Sequence, residues 1–138
     1  MPIIYNIGMN TLTEKLIESC REVTGDKTFR FTAERLVLKC GVRADLKGFS
    51  CLIDAVIIYG TETCATFCEI YRVIGELRGL KTKTVMREIA YAIEQSFGLC
   101  ARLSDMIGIS ISEADIHSGL VIAYLGRLFV NPDISVYA

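Results

Sequence analysis

The chain has 138 residues, of which 51% are hydrophobic and 22% charged, and its formal net charge is −1. This length suits one domain with its own core, and the near-neutral charge argues against a protein that coats nucleic acid indiscriminately. No uninterrupted apolar segment of about 18 residues is present, so we expect no contact with a membrane.

Apolar periodicity and capping residues predict an all-α fold, a compact bundle of six to seven helices that contains a helix-turn-helix. The helices are expected near residues 11–23, 32–40, 46–59, 62–78, 82–97, 99–107 and 113–129. Residues 1–30 are interpreted as an N-terminal extension with one short helix, and residues 31–138 as the main helical domain. Residues 24–31 have the composition of a loop.

The helix near residues 46–59 is almost wholly apolar, which predicts a central helix buried on most faces. Asp54 lies inside this run. Because an isolated buried carboxylate is costly, we expect Asp54 to be paired or to lie at the helix edge.

The stretch from Tyr71 to Phe97 predicts two helices joined by a tight turn. Gly75 is small enough for a crossing helix to approach, Gly79 suits the turn, and Thr82 is the expected N-cap of the second helix. A short helix, a turn with glycine and a longer helix describe a helix-turn-helix at about 70–97, whose second helix would lie in the DNA major groove. An ordinary helical hairpin shares this spacing and stays an alternative.

Charge is distributed unevenly along the chain. Between Tyr71 and Tyr91 five basic residues stand against two acidic ones, a net +3, which favours phosphate binding. Residues 35–47 carry four basic residues and one acidic one, again +3, and form either a solvated surface or a phosphate contact. From Ser104 to the end, one basic residue against four acidic ones gives −3, so this end should face away from DNA.

The six cysteines lie mostly in apolar runs, and MPIIYNIG at the N-terminus lacks the basic stretch of an export signal. We therefore expect a cytoplasmic protein with buried, reduced thiols, no disulfide and no bound metal. A single histidine, His117, and scattered carboxylates predict neither an enzyme nor a cofactor site, and no small-molecule substrate is evident. The apolar surplus is compatible with a homodimer surface.

From about Phe31 to Phe129 the chain resembles the C-terminal DNA-binding (effector) domain of the stage zero sporulation protein A family of response regulators. The resemblance is carried, in order and spacing, by Cys40-Gly41-Val42, Leu46-Lys47-Gly48-Phe49, Asp54-Ala55-Val56, Val85-Met86-Arg87-Glu88-Ile89 and Ala92-Ile93-Glu94. It implies an all-α fold with a helix-turn-helix, double-stranded DNA as the partner and transcription regulation in sporulation as the role. The family's receiver domain has no counterpart in the residues before the match, so control by phosphorylation within this chain is not expected.

The resemblance also implies site residues. Arg87 falls where the family has an arginine that contacts a guanine edge. Met86 replaces an acidic residue, Ala90 an arginine and Tyr91 a histidine, and Thr84 stands where the family has an arginine. The candidate DNA-contacting residues are Lys81, Thr82, Lys83, Thr84, Arg87 and Tyr91.

Two functions remain open on the sequence. The first is a DNA-binding transcriptional regulator related to that effector domain, favoured by the basic hairpin and by Arg87. The alternative is a helical protein–protein interaction or dimerisation module that keeps the fold and has lost sequence-specific DNA binding. The changes at Met86 and Ala90 and the apolar surplus favour this alternative.

Overall fold

The computed structural model describes residues 2–63 and 65–132, with side chains described from Glu14 onward. Every regular element in this part of the chain is a helix, which confirms the predicted all-α fold. The elements are α1 (Pro2–Gly25), α2 (Lys27–Lys39), α3 (Lys47–Thr61), α4 (Phe67–Arg78), α5 (Thr82–Glu94), α6 (Leu99–Ile107), a single 3₁₀ turn (Glu113–Asp115) and α7 (Ser118–Val130).

The start of the chain differs from the prediction. Helix α1 begins at Pro2 rather than near residue 11, and it packs against α3 and α4. The predicted loop over residues 24–31 is reduced to Asp26, whose side chain accepts a hydrogen bond from the Phe29 amide at 2.9 Å and caps α2. Because Asp26 is an N-cap directly after the end of α1, the residues that follow it form the start of α2 instead of a loop.

Helix α3 is the centre of the bundle, as predicted. Eleven of its fifteen residues are buried, and it packs against α1, α2, α4, α5 and α7. Gly48 permits a close crossing, because a Cβ there would collide with the Glu88 carbonyl of α5. This crossing fixes the position of α5 in the bundle.

Three later helix boundaries also differ from the prediction. The helix expected from residue 62 starts at Phe67, because Thr66 and Glu69 form a reciprocal capping box there. Helix α5 ends at Glu94 rather than near residue 97. The helix expected over 113–129 is divided into the 3₁₀ turn and α7, whose N-terminus is capped by His117.

The described cysteines carry free thiols. Cys20, Cys40 and Cys51 are buried as predicted, and burial raises the pKa of Cys20 to about 11 and of Cys40 to about 12. Cys68 is exposed and Cys100 half-buried, so the expectation of burial is wrong for these two. Cys64 lies outside the described residues. Within the described ranges, no helix combines the length and the apolar character that a membrane span requires.

Candidate nucleic-acid interface

Helices α4 and α5 are joined by the three residues Gly79, Leu80 and Lys81. Gly79 adopts the left-handed conformation at φ 67°, and the Leu80 amide donates to the Gly75 carbonyl at 2.8 Å. This six-to-one hydrogen bond is the Schellman ending of a helix. A Cβ on Gly75 would meet the Leu80 carbonyl at 2.6 Å, so Gly75 admits the turn itself rather than the crossing helix that the sequence suggested.

Helix α5 is held by one apolar face. Its buried residues lie three or four positions apart, as an amphipathic helix requires: Val85, Ile89, Ala92 and Ile93. The expected N-cap, Thr82, is instead the first helical residue, and Lys81 takes the cap position without a side-chain hydrogen bond. The amides of the first turn are therefore not covered by a capping side chain.

The opposite side of α5, which we call the outer face of α5, is formed by exposed residues at helical spacing. They are Lys83, Met86, Arg87, Ala90, Tyr91 and Glu94. Of the six predicted contact residues, Lys81, Lys83, Arg87 and Tyr91 are exposed, whereas Thr82 and Thr84 are half-buried. Lys83, Arg87 and Tyr91, each four residues apart, lie in one row along the helix.

Arg78 contributes to the basic charge of the hairpin in the sequence, but in the structure it forms an ion pair with Asp54 of α3. Its Nε donates to Asp54 Oδ2 at 2.5 Å, and Arg30 NH1 donates to Asp54 Oδ1 at 2.7 Å. The hydrogen bond to Asp54 raises the pKa of Arg78 above its ordinary value. Asp54 is only 2% exposed, so the expectation that it is paired is confirmed. Its carboxylate joins α3 to α2 and α4.

A shallow groove runs beside the row of Arg87 and Tyr91, and its opposite wall is the start of α3. Lys47, the first residue of α3, lines this groove together with Asp45 and Glu88. The Asp45 carboxylate accepts two hydrogen bonds from Arg43, at 2.7 and 3.1 Å, and the bonding from Arg43 lowers the pKa of Asp45. The positive charge of Arg43 therefore balances much of the negative charge of Asp45.

Lys47 is the residue that the predicted site omits. The sequence places it in the second basic patch but gives no sign that it approaches Arg87. Gly48 is the signal that bears on this approach, since a glycine near the start of an apolar helix marks a close crossing. Because α3 and α5 cross closely at Gly48 and Glu88, Lys47 and Arg87 line the same groove.

A concavity lies between the end of α5 and the start of α7 and contains His117 and Cys100. His117 Nδ1 accepts the Leu120 amide at 3.3 Å, and the Cys100 thiol donates to the Ile111 carbonyl at 3.0 Å. Both side chains therefore have local structural roles. Among the described residues, no group of three or more His, Cys, Asp or Glu side chains could hold a metal ion.

Comparison with protein-family models, curated proteins and solved structures found no match to this chain. The resemblance to the sporulation regulator therefore rests on the residues quoted above and stays a prediction.

Proposed function

We propose that this chain is a sequence-specific DNA-binding protein and a transcriptional regulator, in which α4 and α5 form a helix-turn-helix and α5 enters the major groove. The observation that carries the proposal is the exposed, unpaired position of Arg87 among the described residues. Its side chain is exposed near the middle of the outer face of α5, and among the described residues it forms no ion pair. A guanidinium in that position can donate two hydrogen bonds to the O6 and N7 atoms of guanine.

The start of α5 supports the same function. Lys81 and Lys83 are exposed there, and the first-turn amides have no capping side chain. A helix N-terminus with free amides and lysines favours a phosphate group, through hydrogen bonds and through the helix dipole. We therefore assign Lys81 and Lys83 to the DNA backbone and Arg87 to a base pair.

The first test is selection of duplexes from a random-sequence pool by gel shift, followed by titration of variants on the preferred duplex. Arg87→Ala should cost about 1–3 kcal/mol on this duplex and remove the preference at one base pair. Lys83→Ala should weaken all duplexes alike and reduce the salt slope by about one unit.

Matched controls are Arg127→Ala and Lys15→Ala, which remove exposed charges from α7 and α1. They should leave the preference unchanged. If Arg87→Ala and Lys83→Ala weaken every duplex equally, α5 is only a basic surface. If the pool yields no bound duplex, the proposal is wrong.

The second candidate function is a protein-interaction module on the same fold. It is favoured by an apolar groove between α2 and the end of α7, where Phe31 is 62% exposed and Leu38 is 45% exposed. A contiguous exposed apolar patch, unlike a single exposed apolar side chain, can mark a protein contact surface. Sedimentation analysis of the wild type and of Leu38→Glu tests this function, because only an interaction through this groove makes association sensitive to the substitution.

A further inference from the structure

We infer that the outer face of α5 selects thymine beside guanine, with Met86 and Ala90 contacting the C5 methyl groups of thymines while Arg87 contacts the guanine. The inference rests on the proposed function and adds the base composition of the preferred site. It assigns a role to two residues outside the predicted contact set.

The exposed residues of α5 form two adjacent rows. Lys83, Arg87 and Tyr91 form a polar row, and Met86 and Ala90, four residues apart, form an apolar row beside it. Met86 is 46% exposed, although Val85 and Ile89 of the same helix are fully buried. Covering an apolar row of this kind with a ligand is favourable, because apolar surface is removed from water.

In the major groove, the group that matches an apolar side chain is the thymine methyl. Guanine, cytosine and adenine present hydrogen-bonding atoms there, whereas thymine adds the C5 methyl group. The Ala90 side chain offers no hydrogen bond to a base edge, and the Met86 thioether is only a weak acceptor. Their contribution to selectivity therefore depends on methyl contact and favours thymine.

The spacing of the two rows limits where these thymines lie. Ala90 is three residues beyond Arg87, about 4.5 Å along a helix axis, and successive base pairs are about 3.4 Å apart. Met86 directly precedes Arg87 and has an unbranched, adaptable side chain. We therefore expect the thymines within about two base-pair steps of the guanine, on either strand.

The test uses the preferred duplex from the random pool with single thymines replaced by deoxyuridine, which lacks only the methyl group. Near the essential guanine, each replacement that removes a contacted methyl should weaken wild-type binding about fourfold, the value for one buried methyl group. In Met86→Ala, replacing the thymine at one of these positions by deoxyuridine should no longer weaken binding. Deoxyuridine outside the core, and Leu38→Ala on α2, are the controls and should change neither value.

The outcomes separate the two proposals. If no duplex binds, the proposed function fails and this inference fails with it. If a duplex depends on Arg87 but tolerates deoxyuridine throughout, DNA binding stands and the thymine inference is overturned. A deoxyuridine penalty that persists unchanged in both Met86→Ala and Ala90→Gly also overturns it, because the methyl contacts then come from other residues.

Discussion

Arg78 and Arg87 are nine residues apart in the same helical hairpin, and they have opposite environments. Arg78 ends α4 and is bound to the buried Asp54 carboxylate of α3. Arg87 lies on the outer face of α5 and, among the described residues, has no ion-pair partner. One guanidinium joins helices together, and the other is available to a ligand.

The difference shows that charge counted along a sequence is not the charge that a ligand meets. The hairpin from Tyr71 to Tyr91 has a formal charge of +3. With Arg78 neutralised by Asp54, four basic residues remain against Glu76 and Glu88, a net +2. The basic surface is therefore smaller than predicted, and it is concentrated at the start and middle of α5.

The largest expected effect comes from removing the buried Asp54 carboxylate, which two ion pairs share. Asp54→Ala leaves Arg30 and Arg78 without their partner, and we expect a loss of about 3 kcal/mol in the free energy of unfolding. This is the low end for a buried pair, because both arginine side chains are 32% exposed. Urea unfolding measures it, with Asp45→Ala as the surface control that should change stability little. An equally small effect at Asp54 would mean that the buried carboxylate is not needed.

Helix α3 carries both Asp54 and the close crossing to α5, and Gly48→Ala tests the crossing. The new Cβ would collide with the Glu88 carbonyl, so we expect a loss of about 2 kcal/mol in stability. DNA affinity should fall as well, because α5 must shift. Gly25→Ala is the matched control, since its Cβ would meet nothing within 4 Å. Equal stability of the two variants would contradict the role of Gly48.

A direct comparison of the two arginines should give opposite results in two assays. Arg78→Ala should lower the free energy of unfolding by about 1–2 kcal/mol, less than Asp54→Ala, because Asp54 keeps Arg30. Arg87→Ala should change stability by less than about 0.5 kcal/mol and should reduce DNA binding instead. Unfolding curves and gel shifts of both variants provide the measurement. Loss of stability in both would show that Arg87 is structural too.

The smallest expected effect concerns Glu69, an exposed charge used for capping. Hydrogen bonding from the Thr66 amide lowers the pKa of Glu69, so its contribution to stability is complete above the unfolded-state value of about 4.3. That contribution is lost as pH falls through the lowered folded-state pKa. The urea midpoint should fall slightly less on acidification in Glu69→Gln, which keeps the capping hydrogen bond without titrating. A pH profile identical to the wild type would contradict this assignment.

The sequence predicts best where local signals are strong. Helix α6 has the predicted bounds, because Gly98 and Gly108 both adopt positive φ and delimit it. The central position of α3 follows from its apolar run. The loop predicted over residues 24–31 was wrong because polar composition does not distinguish a loop from an exposed helical turn with a good N-cap at Asp26.

The site was predictable only in its local part. Helical periodicity alone places Lys83, Arg87 and Tyr91 on one exposed row. The ion pair between Arg78 and Asp54, 24 residues apart, depends on how α3 and α4 pack. The approach of Lys47 to Arg87 likewise depends on the crossing of α3 and α5. Neither can be obtained from spacing within one helix.

The burial of α3 has a consequence for hydrogen exchange. With five helices packed around it, most of its amides can exchange with solvent only when the whole domain opens. Their exchange rate therefore reports the global free energy of unfolding. A duplex bound at the outer face of α5 would slow exchange in α3 to the extent that it stabilises the folded chain, although it would contact few of the protected amides.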